Sequence, residues 1–150
     1  MRYVLDFDEQ DYLIESSKDL AHHLKVARQR EYADLRLVQK LDVTPTRLEK
    51  FVYGSLGLGV PDEGKSLLVL LNNILAKAFV IFVADDDTNF HSCNPNYKGN
   101  ASEKIYFYFA NGERDENLAS ECVTIDEAIS EMFYFFENHE KSEQICWLKD

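Results

Sequence analysis

Apolar and polar positions along this chain change period several times, and each period predicts a different element. Residues 2–7, RYVLDF, read as a short strand. Ser16 followed by Asp19 approximates a capping box. Leu20, Leu24 and Ala27 then recur at helical spacing, so a helix is expected from Ser16 or Ser17 to about Arg30. Residues 35–41 alternate again, with Leu35 and Leu37 apolar, and predict a strand that ends at a break over 43–45. Residues 54–64 hold four of the six glycines and form the main loop signal. Apolar runs at 67–71 and 74–84 flank Asn72-Asn73, and Asn tolerates positive φ, so the segment reads as a hairpin. The Phe, Val and Ile content of the second run favours strand, and a helix over 66–79 is the competing reading.

Asp85, Asp86 and Asp87 end that run, and the polar stretch 88–103 reads as a surface loop. Residues 105–109, IYFYF, predict a strand, Asn111-Gly112 a turn, and 113–121 an acidic connection. The clearest helix comes last. Thr124 and Glu127 make a capping box, and Asp126 and Glu127 sit where the helix dipole favours negative charge. Ile125, Ala128, Ile129, Met132, Phe133 and Phe136 fall on one face, with Glu127, Glu131, Tyr134 and Asn138 opposite. Residues 145–148, which include Trp147, predict a closing strand. With no repeats and no dividing linker, the expectation is a single α+β domain over 1–150, mainly antiparallel sheet packed with an N-terminal and a C-terminal helix.

Composition sharpens this picture. A chain of 150 residues with 45% hydrophobic and 13% aromatic content is too apolar for a disordered acidic tail. No apolar stretch approaches the ~18 residues of a membrane helix, and the acidic start MRYVLDFDEQDY lacks the basic and apolar regions of a signal peptide. Cys93, Cys122 and Cys146 are odd in number and widely spaced, so reduced thiols in a cytoplasmic protein are expected, with no disulfide framework.

The net charge of −11 is unevenly distributed. Residues 1–50 carry ten acids and nine bases, 51–100 five and three, and 101–150 twelve and four, or −1, −2 and −8. Such a balance argues against binding nucleic acid or an anionic membrane and favours a basic partner.

Residues 59–66, GVPDEGKS, match the phosphate-binding loop pattern G-x-x-x-x-G-K-S, and 80–86, VIFVADD, mimic the strand and Asp that hold magnesium in nucleotide hydrolases. Physical chemistry opposes the match. Asp62 and Glu63 would stand beside a polyanion, at about 4 kcal/mol per charge pair at 4 Å and an effective dielectric near 20. The motif also needs a following helix whose N-terminus faces the phosphate, whereas the pattern after Ser66 is strand, turn, strand. Only about 84 residues follow Ser66, too few for several βαβ units. A Pro-Asp-Glu-Gly turn between strands is the simpler reading.

No other constellation carries catalysis. Adjacent Asp residues at 85–87 point in alternating directions on an extended chain, which opposes a metal site with His91 or Cys93. His91 and Cys93 lack a third group to orient them as base and nucleophile. His22 and His23 have no third ligand at useful spacing, and Cys122 and Cys146 read as packing residues. The expectation is no enzyme activity, no cofactor and no metal. The eight Tyr and ten Phe suit a core of strands and helix faces, with an aromatic ligand pocket as the alternative.

The Phe/Tyr-rich strand at 105–109, the Asn111-Gly112 turn, the acid-capped TIDEAI helix ending in Phe135-Phe136, and the short ICW strand at 145–147 resemble the C-terminal half of bacterial immunity proteins of polymorphic toxin systems. More narrowly, they resemble immunity-protein family one, found beside contact-dependent inhibition toxins. The stretch from helix to Trp strand, 138–144, departs from that family in having neither Gly nor Pro. The resemblance implies an α+β fold, no enzymatic activity, and tight binding to one cognate toxin C-terminal domain, often a nuclease or deaminase. Partner-binding residues vary within the family, so none transfers by motif.

Physics supplies the candidates instead: Asp85, Asp86, Asp87, Glu113, Asp115, Glu116, Glu121, Glu127, Glu131 and Tyr134, as acids and an aromatic suited to a basic cleft. A nucleotide-binding protein using 59–66 and a small-ligand module remain the alternatives.

Overall fold

The computed structural model describes residues 2–41 and 63–150. The described chain is an α+β domain built on one large antiparallel sheet with two α-helices on one face and a two-stranded hairpin on the other. In chain order the elements are β1 (Arg2–Phe7), β2 (Gln10–Ile14), α1 (Ser17–Arg28), β3 (Tyr32–Lys40), β4 (Glu63–Asn72), β5 (Lys77–Asp85), β6 (Thr88–Cys93), β7 (Lys104–Tyr108), β8 (Arg114–Leu118), a short 3-10 turn (Ala119–Glu121), β9 (Val123–Thr124), α2 (Ile125–Asn138) and β10 (Cys146–Lys149). The large sheet runs β10-β6-β5-β4-β3-β1-β2, with β9 pairing on β5, and β7 and β8 form a separate ladder. Among the described residues, no helix is long and apolar enough to cross a membrane.

Alternation along the strands decides which side chains meet which layer. Leu5, Leu35, Leu37, Leu67, Val69, Leu71, Val80 and Phe82 point inward and pack against Leu20, Leu24 and Ala27 of α1 and Ala128, Met132 and Phe135 of α2. The intervening Leu70 and Phe79 point the other way and form a second, smaller core with Ile105, Phe107, Ala119 and Cys122. The sheet is therefore buried on both faces over β4 and β5, which is why these strands read as near-continuous apolar runs. Buried Asn72 donates through Nδ2 to the Tyr106 carbonyl at 2.9 Å, and Asp34 accepts from the Ala110 N–H at 3.3 Å. These two side chains pin the β7–β8 hairpin to the sheet beneath it.

Both expected caps are present. Ser16 accepts from the Asp19 N–H, and Thr124 and Glu127 form a reciprocal capping box. The 66–79 helix does not form, since this segment is strand, turn and strand.

The positive φ of that turn falls on Ala76 (55°). Asn72 instead caps the turn by accepting from the Leu75 N–H, and Asn73 ties it to α1 by donating to the Ala27 and Arg30 carbonyls. The stretch expected as a loop from 88 contains β6, and the expected acidic connection from 113 contains β8. Polar outward positions hid both strands. The β2 strand also escaped the pattern, because its turn is Asp8-Glu9 (φ 61° and 62°), two residues that do not announce a tight hairpin.

The cysteine expectation is corrected too. Cys93 and Cys146 face each other across the β6–β10 ladder and form a disulfide, with Cα atoms 5.3 Å apart, while Cys122 is a buried free thiol. Strand pairing brings together two residues separated by 53 positions, which spacing in sequence did not foreshadow. The break at 43–45 and most of the glycine-rich loop lie outside the described residues.

Candidate functional site: an acidic cleft beside the hairpin

The ten candidate residues do not gather on one surface. Asp85, Asp86 and Asp87 make the exposed β5–β6 turn, where Asp85 accepts from the Asp87 N–H at 2.9 Å. Asp85 and Asp86 border a cavity shared with Arg36, Glu63 and Lys65. Glu116 is taken up by Arg114 at 3.2 Å and Lys104 at 3.5 Å, and Asp115 is half-buried and accepts from Asn117. Glu121 pairs with His91 Nε2 at 2.8 Å, and the other ring nitrogen of His91 contacts Asp150. Glu127 is engaged in its cap, receiving the Thr124 N–H at 3.1 Å, and Tyr134 is half-buried on the helix layer.

Glu131 is a correction. It is 1% exposed, and its carboxylate accepts from both the Ser142 N–H (2.7 Å) and the Ser142 hydroxyl. Burial pushes its carboxyl above the usual range, and the Ser142 donors pull it partly back. The helix is rotated relative to the expected face: Phe135 is fully buried and Phe136 only partly, which carries Glu131 inward. Glu131 fastens the chain between α2 and β10 and is not available as a docking residue.

Glu113 is the member of the set that belongs to a larger acidic grouping. It lines a cavity of about 400 Å³ with Asp6, Asp8, Glu9, Asp34, Phe109, Ala110 and Asn111. Three separate segments build it. Asp6 and Asp34 are outward positions of β1 and β3, between inward Leu5 and Phe7 and inward Ala33 and Leu35. Asp8 and Glu9 come from the β1–β2 turn, and Glu113 follows the β7–β8 turn at Gly112 (φ 89°).

A second cavity of about 330 Å³ adjoins the first, shares Asp8, Asp34, Phe109 and Ala110 with it, and adds Phe7, Arg30, Tyr32 and Tyr108. The Tyr32 and Tyr108 rings meet edge to face at 4.7 Å, giving the cleft an aromatic wall.

The charges in this cleft are unequal. Asp8 pairs with Arg30 at 2.8 Å, and that guanidinium holds its carboxyl below the usual range. The same guanidinium lies 4.9 Å over the Phe7 ring. Asp34 moves the other way: burial raises it, the Ala110 N–H partly offsets this, and the neighbouring Asp6 raises it further. The fold thus keeps a carboxylate where ionisation is unfavourable. Among the described residues, Asp6, Glu9 and Glu113 have no ion pair.

Asp6, Glu9 and Asp34 are masked in the sequence because residues 1–50 as a whole carry nearly equal numbers of acids and bases. The bases that balance them turn elsewhere: Arg28 to Asp126 at 2.8 Å, and Arg36 and Lys40 to Glu63. The usable signal was local, namely acids at the alternating outward positions of β1 and β3.

The competing sites fare less well. Gly64, Lys65 and Ser66 lie in β4, Ser66 is 2% exposed, and Lys65 Nζ contacts Glu140. A strand follows where a phosphate loop needs a helix. Residues 59–62 of the motif lie outside the described residues. Among the described residues, no group of three or more His, Cys, Asp or Glu side chains converges to hold a metal. Burial and the neighbouring His22 push His23 below its usual value, which disfavours the cationic form. An open groove of about 390 Å³ between α1 and α2 is lined by Leu24, Ile129 and Phe133 together with Lys25 and Arg28. No family model and no curated protein matches this chain.

Proposed function

We propose that the protein is an immunity protein. It binds a cognate, basic toxin C-terminal domain acting on nucleic acid, a nuclease or deaminase, and neutralises it in the cytoplasm of the producing cell. The observation that carries this reading is the cleft in which Asp6, Asp8, Glu9, Asp34 and Glu113 surround one cavity beside the Tyr32–Tyr108 wall. A nucleic-acid-cleaving domain presents Lys and Arg to phosphates, and a carboxylate-lined cleft offers those cations an alternative. At about 4 Å and an effective dielectric near 20, one such contact gives roughly 4 kcal/mol of attraction before desolvation. The net result is steering and specificity more than raw affinity. Aromatic side chains next to the charges supply the anchors that protein interfaces favour. The C-terminal pattern at 105–147 supports the same reading by resemblance.

The test is co-expression with the C-terminal domain encoded directly upstream of this chain's gene, followed by co-purification and calorimetry at low and high salt. The expected result is a stoichiometric complex that weakens as salt rises, rescue of growth in toxin-expressing cells, and loss of both on Glu113→Lys. A folded protein that forms no complex at low ionic strength overturns the proposal. A complex indifferent to Glu113→Lys and Asp6→Lys removes the cleft as its site.

A further inference from the structure

We infer that Cys93 and Cys146 form a reversible thiol–disulfide exchange site that takes low-molecular-weight thiols and their disulfides and fastens the last strand to the sheet edge. Three observations support it. The two cysteines are directly opposite in the β6–β10 register, so closing the bond needs no rearrangement of either strand. Cys146 is an exposed residue and Cys93 a buried one, so the Cys146 side is the open approach for a small thiolate. The third cysteine is excluded: burial pushes the Cys122 thiol up to about 12, which leaves it protonated and unreactive. Exchange therefore has one entry point and one resolving partner.

The chemistry balances with an external thiol such as glutathione. A thiolate attacks the exposed Cys146 sulfur, forms a mixed disulfide there, and expels the Cys93 thiolate, which takes a proton from water. A second thiolate attacks the external sulfur of that mixed disulfide, releases Cys146 as a thiolate that is protonated in turn, and leaves as the oxidised small-molecule disulfide. In reverse, oxidised glutathione supplies the two-electron oxidant.

The bond acts on a marginal element. The β10 strand has four residues at the outer edge of the sheet. Its other attachments are the β6 ladder, the Asp150 N–H to the Asn89 carbonyl at 2.9 Å, the Asp150–His91 contact, and Trp147, whose indole N–H donates to the Ser142 carbonyl at 2.8 Å. Trp147 is the single tryptophan of the chain and packs beside Phe82, so its emission reports on strap closure.

The experiment equilibrates the full chain over a series of reduced-to-oxidised glutathione ratios, alkylates it in denaturant, and counts labels by mass. Parallel samples give Trp147 emission and amide exchange. The expected result is three labels in the reduced form and one, on Cys122, in the oxidised form. Reduction is expected to red-shift Trp147 emission and to lose amide protection on β10, and Cys146→Ser to hold both readouts at the reduced values in every buffer. Three labels at every ratio overturn the inference, as does a disulfide that includes Cys122. Unchanged β10 protection between the two forms also overturns it.

Discussion

Replacing Asp34 by Asn separates a carboxylate kept for binding from one kept for stability. The side chain is half-buried on the outward face of β3. Asp6 lies opposite Arg36 in the β1–β3 register, which makes Asp34 its diagonal neighbour. Diagonal pairs lie about 7–8 Å apart, so like-charge repulsion is roughly 0.6 kcal/mol in a water-like dielectric and roughly 2 kcal/mol at an effective value near 20. Asn has the same shape and keeps a carbonyl oxygen for the Ala110 N–H. The variant should therefore be more stable than the wild type by about 1 kcal/mol at neutral pH.

The pH dependence has a definite sign. The folded-state value of Asp34 is raised by burial above its ordinary 3.8. Its ionisation is thus harder in the folded chain than in the unfolded one, and the wild type loses stability as pH rises from about 3.8 through the folded value. The advantage of Asp34→Asn should vanish near pH 4 and be complete at neutral pH. Urea unfolding at both pH values measures this, and calorimetry against the toxin domain should show weaker binding by the same variant. A variant less stable than the wild type at neutral pH, or an advantage independent of pH, refutes the electrostatic reasoning.

Glu131→Ala should cost about 2–3 kcal/mol, because the Ser142 N–H and hydroxyl lose their acceptor in a buried site, and urea unfolding checks it. Glu131 is raised above its ordinary 4.5 by burial, so its ionised form burdens the fold as pH rises past that value; Glu131→Gln should flatten this pH dependence while leaving partner binding unchanged. Thr124→Ala removes one half of the α2 capping box and should lower stability by about 1 kcal/mol, read as a fall in thermal midpoint without a change in disulfide content.

Elements whose signal is local were legible in the chain itself. The caps at Ser16 and Thr124 and the stripe Leu20, Leu24, Ala27 act over three to eight residues, and each stands where its pattern implied. The β4–β5 hairpin was legible for the same reason, since two β-rich runs around Asn residues have few other ways to bury themselves. Strands β2, β6 and β8 were not legible. Each is polar in sequence: β2 and β6 follow acidic turns of unremarkable composition, and β8, although it follows the Asn111-Gly112 turn, reads RDENL with a single apolar residue.

The candidate acids divide along the same line. Their types and abundance are sequence properties, but Arg114 and Lys104 take up Glu116, His91 Nε2 contacts Glu121, capping engages Glu127, and burial removes Glu131. Glu113 keeps an open carboxylate because it follows a turn.

By itself the sequence determined an acidic α+β domain with a capped N-terminal and a capped C-terminal helix, because helix caps, strand periodicity and net charge are sums over near neighbours. Only the tertiary structure decided where the charge matters. A count over the first fifty residues balances acids against bases, but folding sends Arg28 to Asp126 and Arg36 to Glu63, and gathers Asp6, Glu9 and Asp34 around one cleft with Glu113. It likewise set Cys93 opposite Cys146. Coulomb interactions and covalent bonds depend on distance in space, and antiparallel pairing makes neighbours of residues that the chain keeps far apart.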